Sequence, residues 1–279
     1  MRIGVKPGPW GWSFDELVAS WRAAEKAGFD IVSCFDHVTA APAGLAAWNA
    51  PSLLTAMAAV TDRIALAVDV LNVSLRHPFM LAGQLAVAQA ASGGRVEVGL
   101  GAGSHHLARF DHAALGRRFP PLAERRRTLA RCCELFPRLW RGDEVSDGEL
   151  GLSVASLGPL GIVPPPIFVG GTSEETMAIA ASLADGWNAV VADAERYAEL
   201  TARLEELSRS RERERPIRKA AQVFVRDIEL GSAGQLVAEL EAAGAESVTF
   251  VLVDERGPAA VRALAEAVVA KPRRGRTGT

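Results

Sequence analysis

Two titratable residues stand at the end of an apolar segment, IVSCFDH (31–37), where Asp36 and His37 are neighbours. The apolar run predicts a buried strand, and a strand that belongs in a core seldom finishes on an acid and an imidazole. Histidine exchanges protons near neutral pH, and a nearby carboxylate stabilises its charged form. We interpret His37 as a proton-transfer residue and Asp36 as its electrostatic and hydrogen-bonding partner. The alternative is a pair that serves the fold alone.

Two glycine-rich segments could hold a cofactor. Glycines end the apolar run 95–100, where missing side chains would let a flat ring approach the backbone. The second segment leads into a predicted helix, whose free N–H groups and two hydroxyls favour a phosphate. An ordinary N-cap with Glu174 and Glu175 in the first turn is the alternative. The candidate cofactor residues in these segments are Gly101, Ala102, Gly103, Gly170, Gly171, Thr172 and Ser173.

Aromatic residues and histidines near these segments could line a substrate pocket. Trp10 and Trp12 follow the first apolar run, and packing beneath their own loop is an equal alternative. His105 follows the glycines and is a third candidate. His105 and His106 lack a third ligand at a recognisable spacing, so we expect no metal site.

The elements that must position these residues alternate regularly along the chain. Eight short β-type segments are near-continuously apolar, as parallel strands buried on both faces are. They cover 2–5, 30–35, 63–70, 95–100, 166–171, 186–191, 220–225 and 247–253. Helical patterns follow them, the first with a capping box at Ser13 and Glu16 and a stop at Gly28. The pattern predicts an α/β fold, a (β/α)₈ TIM barrel, with an open doubly wound sheet as the rival.

The predicted barrel occupies residues 1–270 as a single domain. A Gly/Pro/Ser-rich stretch, 142–165, is predicted to be a long loop inserted before strand five, and the tail 271–279 is expected to be disordered. Arg125, Arg126 and Arg127 are predicted to form a solvated turn. Active sites of such barrels lie at the C-terminal ends of the strands, so Asp36 and His37 are expected at the barrel mouth.

Composition excludes several classes of function. A formal net charge of −2 gives no electrostatic case for nucleic acid or an acidic membrane surface, and no apolar run of 18 residues exists for a membrane span. The three cysteines, Cys34, Cys132 and Cys133, make no plausible disulfide framework, so a reducing cytoplasm is the expected compartment.

Three segments together resemble the bacterial luciferase-like monooxygenase family of flavin- and deazaflavin-dependent enzymes. They are EKAGFDIVSCFDH (25–37), SLRHPFMLAGQLAVAQAASGGRVEVGLGAG (74–103) and PPPIFVGGTSEETMAIAASLADGWNAV (164–190). The resemblance implies that the residues matching Asp36 and His37 contact the cofactor ring. It also implies a non-proline cis peptide at Asp69-Val70 that backs the ring, although a small residue is usual at position 69.

The resemblance further implies an oxidoreductase that transfers hydride between coenzyme F420 and a small organic substrate. One alternative is an FMN-dependent monooxygenase served by a separate reductase, and another is a non-catalytic flavin-binding protein. A homodimer is left open. Two departures from the family pattern stand out. Ser104 replaces an acid found in the deazaflavin sugar-phosphate dehydrogenases, and Glu97 lies mid-strand, either half-exposed or paired with a base such as Lys6.

Overall fold

Eight parallel strands close into a barrel. The computed structural model describes residues 1–8, 10–41, 44–103, 106–210, 216–253 and 256–269, so the predicted tail 271–279 lies outside it. The barrel strands are β1 (Arg2–Pro7), β2 (Ile31–Cys34), β3 (Ala65–Asn72), β4 (Val96–Gly101), β7 (Ile167–Gly170), β8 (Gly186–Val190), β9 (Arg218–Phe224) and β10 (Ser247–Leu252). Around the barrel these strands follow the order β1-β10-β9-β8-β7-β4-β3-β2. All eight neighbouring pairs are parallel, and the predicted TIM barrel is confirmed.

Helices cover the outside of the barrel. They are α1 (Phe14–Ala27), α2 (Ala50–Val60), α3 (Pro78–Ala91), α4 (Ala108–Ala114), α5 (Leu122–Arg141), α6 (Glu174–Leu183), α7 (Ala194–Arg209), α8 (Ala233–Ala242) and α9 (Gly257–Val268). Ser13 and Glu16 form the predicted capping box of α1, and Gly28 ends the helix in the left-handed conformation. The short helix α4 follows the glycines of β4 and was not predicted.

The segment before the fifth barrel strand is not simply a loop. It forms a two-stranded antiparallel hairpin, β5 (Val145–Asp147) and β6 (Leu152–Ala155), outside the barrel. The prediction of a loop over 142–165 is therefore wrong in this part. The strands have three and four residues, too few for periodicity to separate them from irregular chain.

The N-terminal end of the barrel interior is closed by ion pairs. Glu97 accepts hydrogen bonds from Arg2 Nη1 at 2.7 Å and from Arg218 Nη2 at 3.0 Å. These arginines open strands β1 and β9, so their side chains meet the second residue of β4. Glu97 is thus paired, as one alternative held, but its partners are arginines and not Lys6. This leaves the opposite end of the barrel for chemistry.

Candidate active site

A hydrogen-bonded histidine and carboxylate lie together at the C-terminal end of the barrel. His37 follows β2, and its Nδ1 lies 2.9 Å from Oδ2 of Asp111, on α4. The other carboxylate oxygen of Asp111 accepts the backbone N–H groups of Val38 at 2.9 Å and Thr39 at 3.2 Å. The Asp111 side chain is 2 % exposed and the His37 side chain 16 %. A buried acid therefore orients a part-exposed imidazole at the mouth of the barrel.

Asp36 does not fill the place predicted for it. Its carboxylate accepts two hydrogen bonds from the Arg76 guanidinium, at 2.6 and 2.7 Å, and one from the backbone N–H of Asn72 at 2.9 Å. The carboxylate is fully buried. Asp36 therefore ties the end of β2 to the end of β3, and the predicted pairing of Asp36 with His37 is wrong. Neighbouring residues of an extended chain point to opposite sides, which separates the two.

Asp111 is the residue that sequence reasoning missed. It lies eight positions beyond Gly103, in a segment with no clear periodicity. One signal was present: Asp111 is the only carboxylate between Glu97 and Glu124. A lone acid that follows the fourth strand of a barrel would be expected near the mouth.

Val70 occupies the space that the glycines leave open. A Cβ at Gly99, Gly101 or Gly170 would come within 2.9, 2.5 and 2.6 Å of Val70 side-chain carbons. The Asp69-Val70 peptide bond is cis, at the position that the family resemblance gives, and the register of β3 with β4 shifts there. The glycines thus accommodate a valine side chain, and Val70 is partly exposed at the mouth.

Arg125 is a buried structural residue and not part of a solvated turn. It is 5 % exposed, and its guanidinium donates to the carbonyl oxygens of Ala102 at 2.7 Å, Gly103 at 2.5 Å and Pro120 at 3.0 Å. The prediction for these arginines holds only for Arg127, which is exposed. Arg125 therefore fixes the backbone that leaves β4 toward α4.

Arg126 lies at the N-terminus of α6. It donates from Nη2 to Ser173 Oγ at 2.9 Å and pairs with Glu175 at 3.1 Å, while its buried Nε lacks a hydrogen-bond partner. Ser173 is the N-cap of α6, with its Oγ accepting from Thr176 N. The other acid of the first turn, Glu174, turns away and pairs with Arg203 of α7.

The two glycines before this helix have different roles. Gly170 adjoins Val70, and the Gly171 N–H is taken by Asn188 O at 3.1 Å. Gly171 has φ +138°, and a Cβ there would come 2.9 Å from Thr176 Cγ2. The N–H groups available to an anion therefore begin at Thr172, with Arg126 beside them.

Trp10 and Trp12, both predicted to line a substrate pocket, lie in different environments. Trp10 lies at the mouth with its ring centroid 5.1 Å from that of His37. Trp12 is 1 % exposed and packs in the core, the arrangement expected of a packing residue. His105 and Ser104 lie outside the described residues.

Polar side chains line the barrel interior directly below the mouth. Lys6 is 1 % exposed and donates from Nζ to the Asp69 backbone oxygen and to Gln222 Oε1 at 2.9 Å. Asp69 Oδ2 accepts from Ser33 Oγ at 2.7 Å, and its Oδ1 lies 3.4 Å from Asn188 Nδ2. Burial lowers the pKa of Lys6 to about 8 and raises the pKa of Asp69.

Neither a membrane-spanning helix nor a grouped set of metal ligands occurs in the described part of the chain. Within it, no helix is long and apolar enough to cross a membrane. In the same ranges, no three His, Cys, Asp or Glu side chains are grouped as a metal site would require.

The chain belongs to the luciferase-like monooxygenase family, whose model matches residues 2–253. A curated relative, an F420-dependent glucose-6-phosphate dehydrogenase of Beutenbergia cavernae, is 31 % identical over 193 residues. The match covers 67 % of this chain and 56 % of the relative, so the chain spans little more than half of that protein's length.

Solved structures share the fold at low sequence identity. The coenzyme F420 dependent tetrahydromethanopterin reductase from Methanopyrus kandleri superimposes with a TM-score of 0.78 at 15 % identity, over 96 % of this chain and 98 % of that one. The oxygenating constituent of 3,6-diketocamphane monooxygenase from Pseudomonas putida, in complex with FMN, gives a TM-score of 0.63 at 19 % identity. It covers 80 % of this chain and 66 % of that one.

Proposed function

We propose that this protein is an oxidoreductase that binds coenzyme F420 at the barrel mouth and transfers hydride between it and a small organic substrate. The observation that carries the proposal is the His37–Asp111 pair, because hydride transfer to or from a carbon–oxygen bond requires a matching proton transfer. The F420-dependent relative supports the choice of cofactor.

The N-terminus of α6 fits the phosphate end of such a cofactor. The N–H groups from Thr172 onward and the guanidinium of Arg126 lie there beside Ser173, whose hydroxyl hydrogen bonds to Thr176. The buried Nε of Arg126 is a donor in need of an acceptor. Glu174 pairs with Arg203 and Glu175 with Arg126, so neither acid acts there as an uncompensated charge.

The ring end of the cofactor would lie against Val70. This side chain packs against Gly99, Gly101 and Gly170 and is partly exposed, which would give the ring an apolar support. Asp69, Val70, Gly101, Ala102 and Gly103 would then border the ring, as the family resemblance implies. Trp10, beside His37, would form a wall of the substrate pocket.

His37 and Asp111 would handle the proton. F420, when bound, supplies the hydride acceptor or donor. An ionised Asp111 favours the tautomer of His37 with its proton on Nδ1, which makes Nε2 the nitrogen that accepts a proton from the substrate. Asp111 also stabilises the imidazolium that forms. Asp36 would act on catalysis only through the backbone that it holds.

An FMN-dependent monooxygenase is the second candidate, favoured by the similarity of fold to the FMN complex from Pseudomonas putida. That function would require a separate reductase to supply reduced flavin, and oxygen would be consumed. A non-catalytic flavin-binding protein would have no use for an imidazole oriented by a buried acid.

The proposed partner protein is a second copy of the chain. Neither α2 nor α3 contains a charged residue, and Met80 and Val87 of α3 are exposed. Val163, 79 % exposed, joins this face through a hydrogen bond from Gln89 Nε2 to its carbonyl at 2.8 Å. Two copies of one charge-free face can meet without charge conflict. Sedimentation velocity should show a dimer for the wild type and a monomer for Val87→Glu.

Anaerobic turnover tests the proposed function. Wild-type protein with oxidised F420 and a panel of small alcohols should reduce the cofactor without oxygen, followed by loss of its visible absorbance. Turnover only with reduced FMN and oxygen would favour the monooxygenase. Cofactor binding without activity across both panels would favour the binding protein.

A further inference from the structure

A lysine and a carboxylate lie inside the barrel, where branched apolar side chains usually fill the layers. Lys6 reaches across from β1, and its Nζ lies 3.6 Å from the centroid of the Phe35 ring. It donates to the backbone of Asp69, whose own carboxylate is held by Ser33. A buried charge is costly unless an opposite charge compensates it. Lys6 contacts the backbone of Asp69 and not its carboxylate, but the two opposite charges lie close enough to compensate each other in part.

Asp69 differs from Lys6 in its access to the mouth. Lys6 is 1 % exposed, whereas Asp69 and Val70 are both partly exposed at the end of β3. A flat ring resting on Val70 would therefore exclude water from Asp69. Water would then also be excluded from the pair that Asp69 forms with Lys6. Burial already raises the pKa of Asp69 and lowers the pKa of Lys6, and the charge of each residue offsets part of the shift in the other.

We propose that Lys6 and Asp69 form a charge-compensated floor of the cofactor site, a positioning pair that keeps cofactor binding nearly independent of pH around neutrality. The inference rests on the proposed function, since it takes Asp69 and Val70 as part of the cofactor site. As a pair, the two residues present no net charge to the ring. Alone, either one would have to change its protonation when the ring covers it.

The other ionisable groups near the pair do not take over its role. Burial raises the pKa of the Cys34 thiol on β2, which therefore stays protonated. Glu97 on β4 is paired with two arginines at the opposite end of the barrel. Asp36, after β2, is held by Arg76.

The remaining neighbours of the pair are neutral. Asn188 of β8 and Gln222 of β9 are joined to each other by a hydrogen bond of 2.6 Å. Gln222 accepts from Lys6, and Asn188 approaches Asp69. Lys6 and Asp69 are thus the ionisable groups on the floor of the site. His37 lies at its mouth, paired with Asp111, and would contribute equally in wild type and in variants of Lys6 and Asp69.

The two single variants should shift proton uptake in opposite directions. In Asp69→Asn, Lys6 loses the charge that raises its pKa, so that pKa falls below its wild-type value of about 8. Ring binding would then expel the Lys6 proton, and affinity would rise with pH below the lowered pKa. In Lys6→Met, the lone carboxylate takes up a proton on binding, so affinity falls as pH rises. One linked proton changes the dissociation constant by up to about tenfold per pH unit.

Fluorescence titrations of F420 and of FMN, from about pH 6 to about pH 9, test this for wild type, both single variants and the double variant. Wild type and double variant should have similar, shallow pH dependences, and the single variants should deviate from them with opposite signs. Ionisations of the cofactor itself are common to all four proteins and cancel in the comparison.

The outcomes separate this inference from the proposed function. If wild type binds F420 but all four pH dependences are parallel, the charge-compensated floor is wrong and the proposed function stands. If wild type binds neither cofactor, both are wrong. Melting temperatures establish that each variant is folded, and the double variant should lose less stability than the worse single variant. If Lys6→Met does not fold, the pH dependence of affinity in Asp69→Asn, compared with that in the double variant, still shows the direction of the effect of Lys6.

Discussion

Nδ1 of His37 lies 2.9 Å from Oδ2 of Asp111, although 74 residues separate them in the sequence. The contact joins the segment after β2 to helix α4, which follows β4. Because Asp111 also accepts the N–H groups of Val38 and Thr39, it fixes both the imidazole and the backbone that carries it. The proton-transfer group proposed here is therefore a pair assembled by the barrel and not by neighbouring residues.

Asp111→Asn should reverse the direction of the hydrogen bond to the His37 imidazole without freeing the backbone of Val38 and Thr39. The amide oxygen can still accept from Val38 and Thr39, but the amide nitrogen donates where the carboxylate accepted, so the other tautomer of His37 is favoured. Turnover should fall by about 10²–10⁴, with cofactor affinity within about twofold. Steady-state rates and fluorescence titration measure both. Asp62→Asn, at an exposed position, is the control, and an unchanged rate for Asp111→Asn would exclude this role.

Asp36→Asn should act on stability more than on chemistry. The change leaves the Arg76 guanidinium without its buried countercharge, which costs about 3–5 kcal/mol when one partner of a buried pair is removed. His37→Ala should show the opposite profile, with a large loss of rate and a small loss of stability. Denaturant unfolding and rate per folded enzyme distinguish the two. A stable Asp36→Asn variant with the rate defect of His37→Ala would show that Asp36 takes part in catalysis.

Arg126→Gln should weaken cofactor binding at the phosphate. The variant removes the positive charge beside Ser173 and the N-terminus of α6, and a loss of about tenfold to a hundredfold in affinity is expected. Its neighbour Arg127 is exposed on the same helix, so Arg127→Gln is a matched control that should bind as wild type does. Equal affinities for the two variants would mean that the phosphate binds elsewhere.

Gly101→Ala should be destabilising because the new methyl group would lie 2.5 Å from Val70 Cγ2. Val70→Ala removes that carbon and should offset part of the loss. The double variant is thus expected to be more stable than the sum of the two single effects allows, by about 0.5–3 kcal/mol. Urea unfolding of the four proteins gives this coupling energy directly. Strict additivity would show that Val70 is not what excludes a side chain at Gly101.

The barrel could be predicted because its signals are local. The capping box of Ser13 and Glu16, the stop at Gly28 and the apolar strand segments each depend on a few adjacent residues. The hairpin β5–β6 could not be predicted in this way, because its short strands owe their conformation to pairing with each other. Length and pattern together therefore predicted the architecture and the place of the insertion, but not the hairpin within the insertion.

Only part of the site was predictable, because the tertiary structure decides which side chains contact one another. The position of His37 at the mouth followed from strand order, but its acid came from α4 and not from its neighbour. Arg125 and Arg126 looked like a solvated turn, since nothing local indicates that one is buried under the segment 102–103 and the other faces α6. The glycines were predicted to leave space for a ring against the backbone, but the Val70 side chain fills that space.

The most direct test of the account is competitive binding of F420 and FMN to the wild-type protein, followed by fluorescence. We predict saturable F420 binding at micromolar or lower concentration and weaker FMN binding. Arg126→Gln should bind both cofactors about tenfold to a hundredfold more weakly than Arg127→Gln does. Micromolar FMN binding with no measurable F420 binding would contradict this prediction.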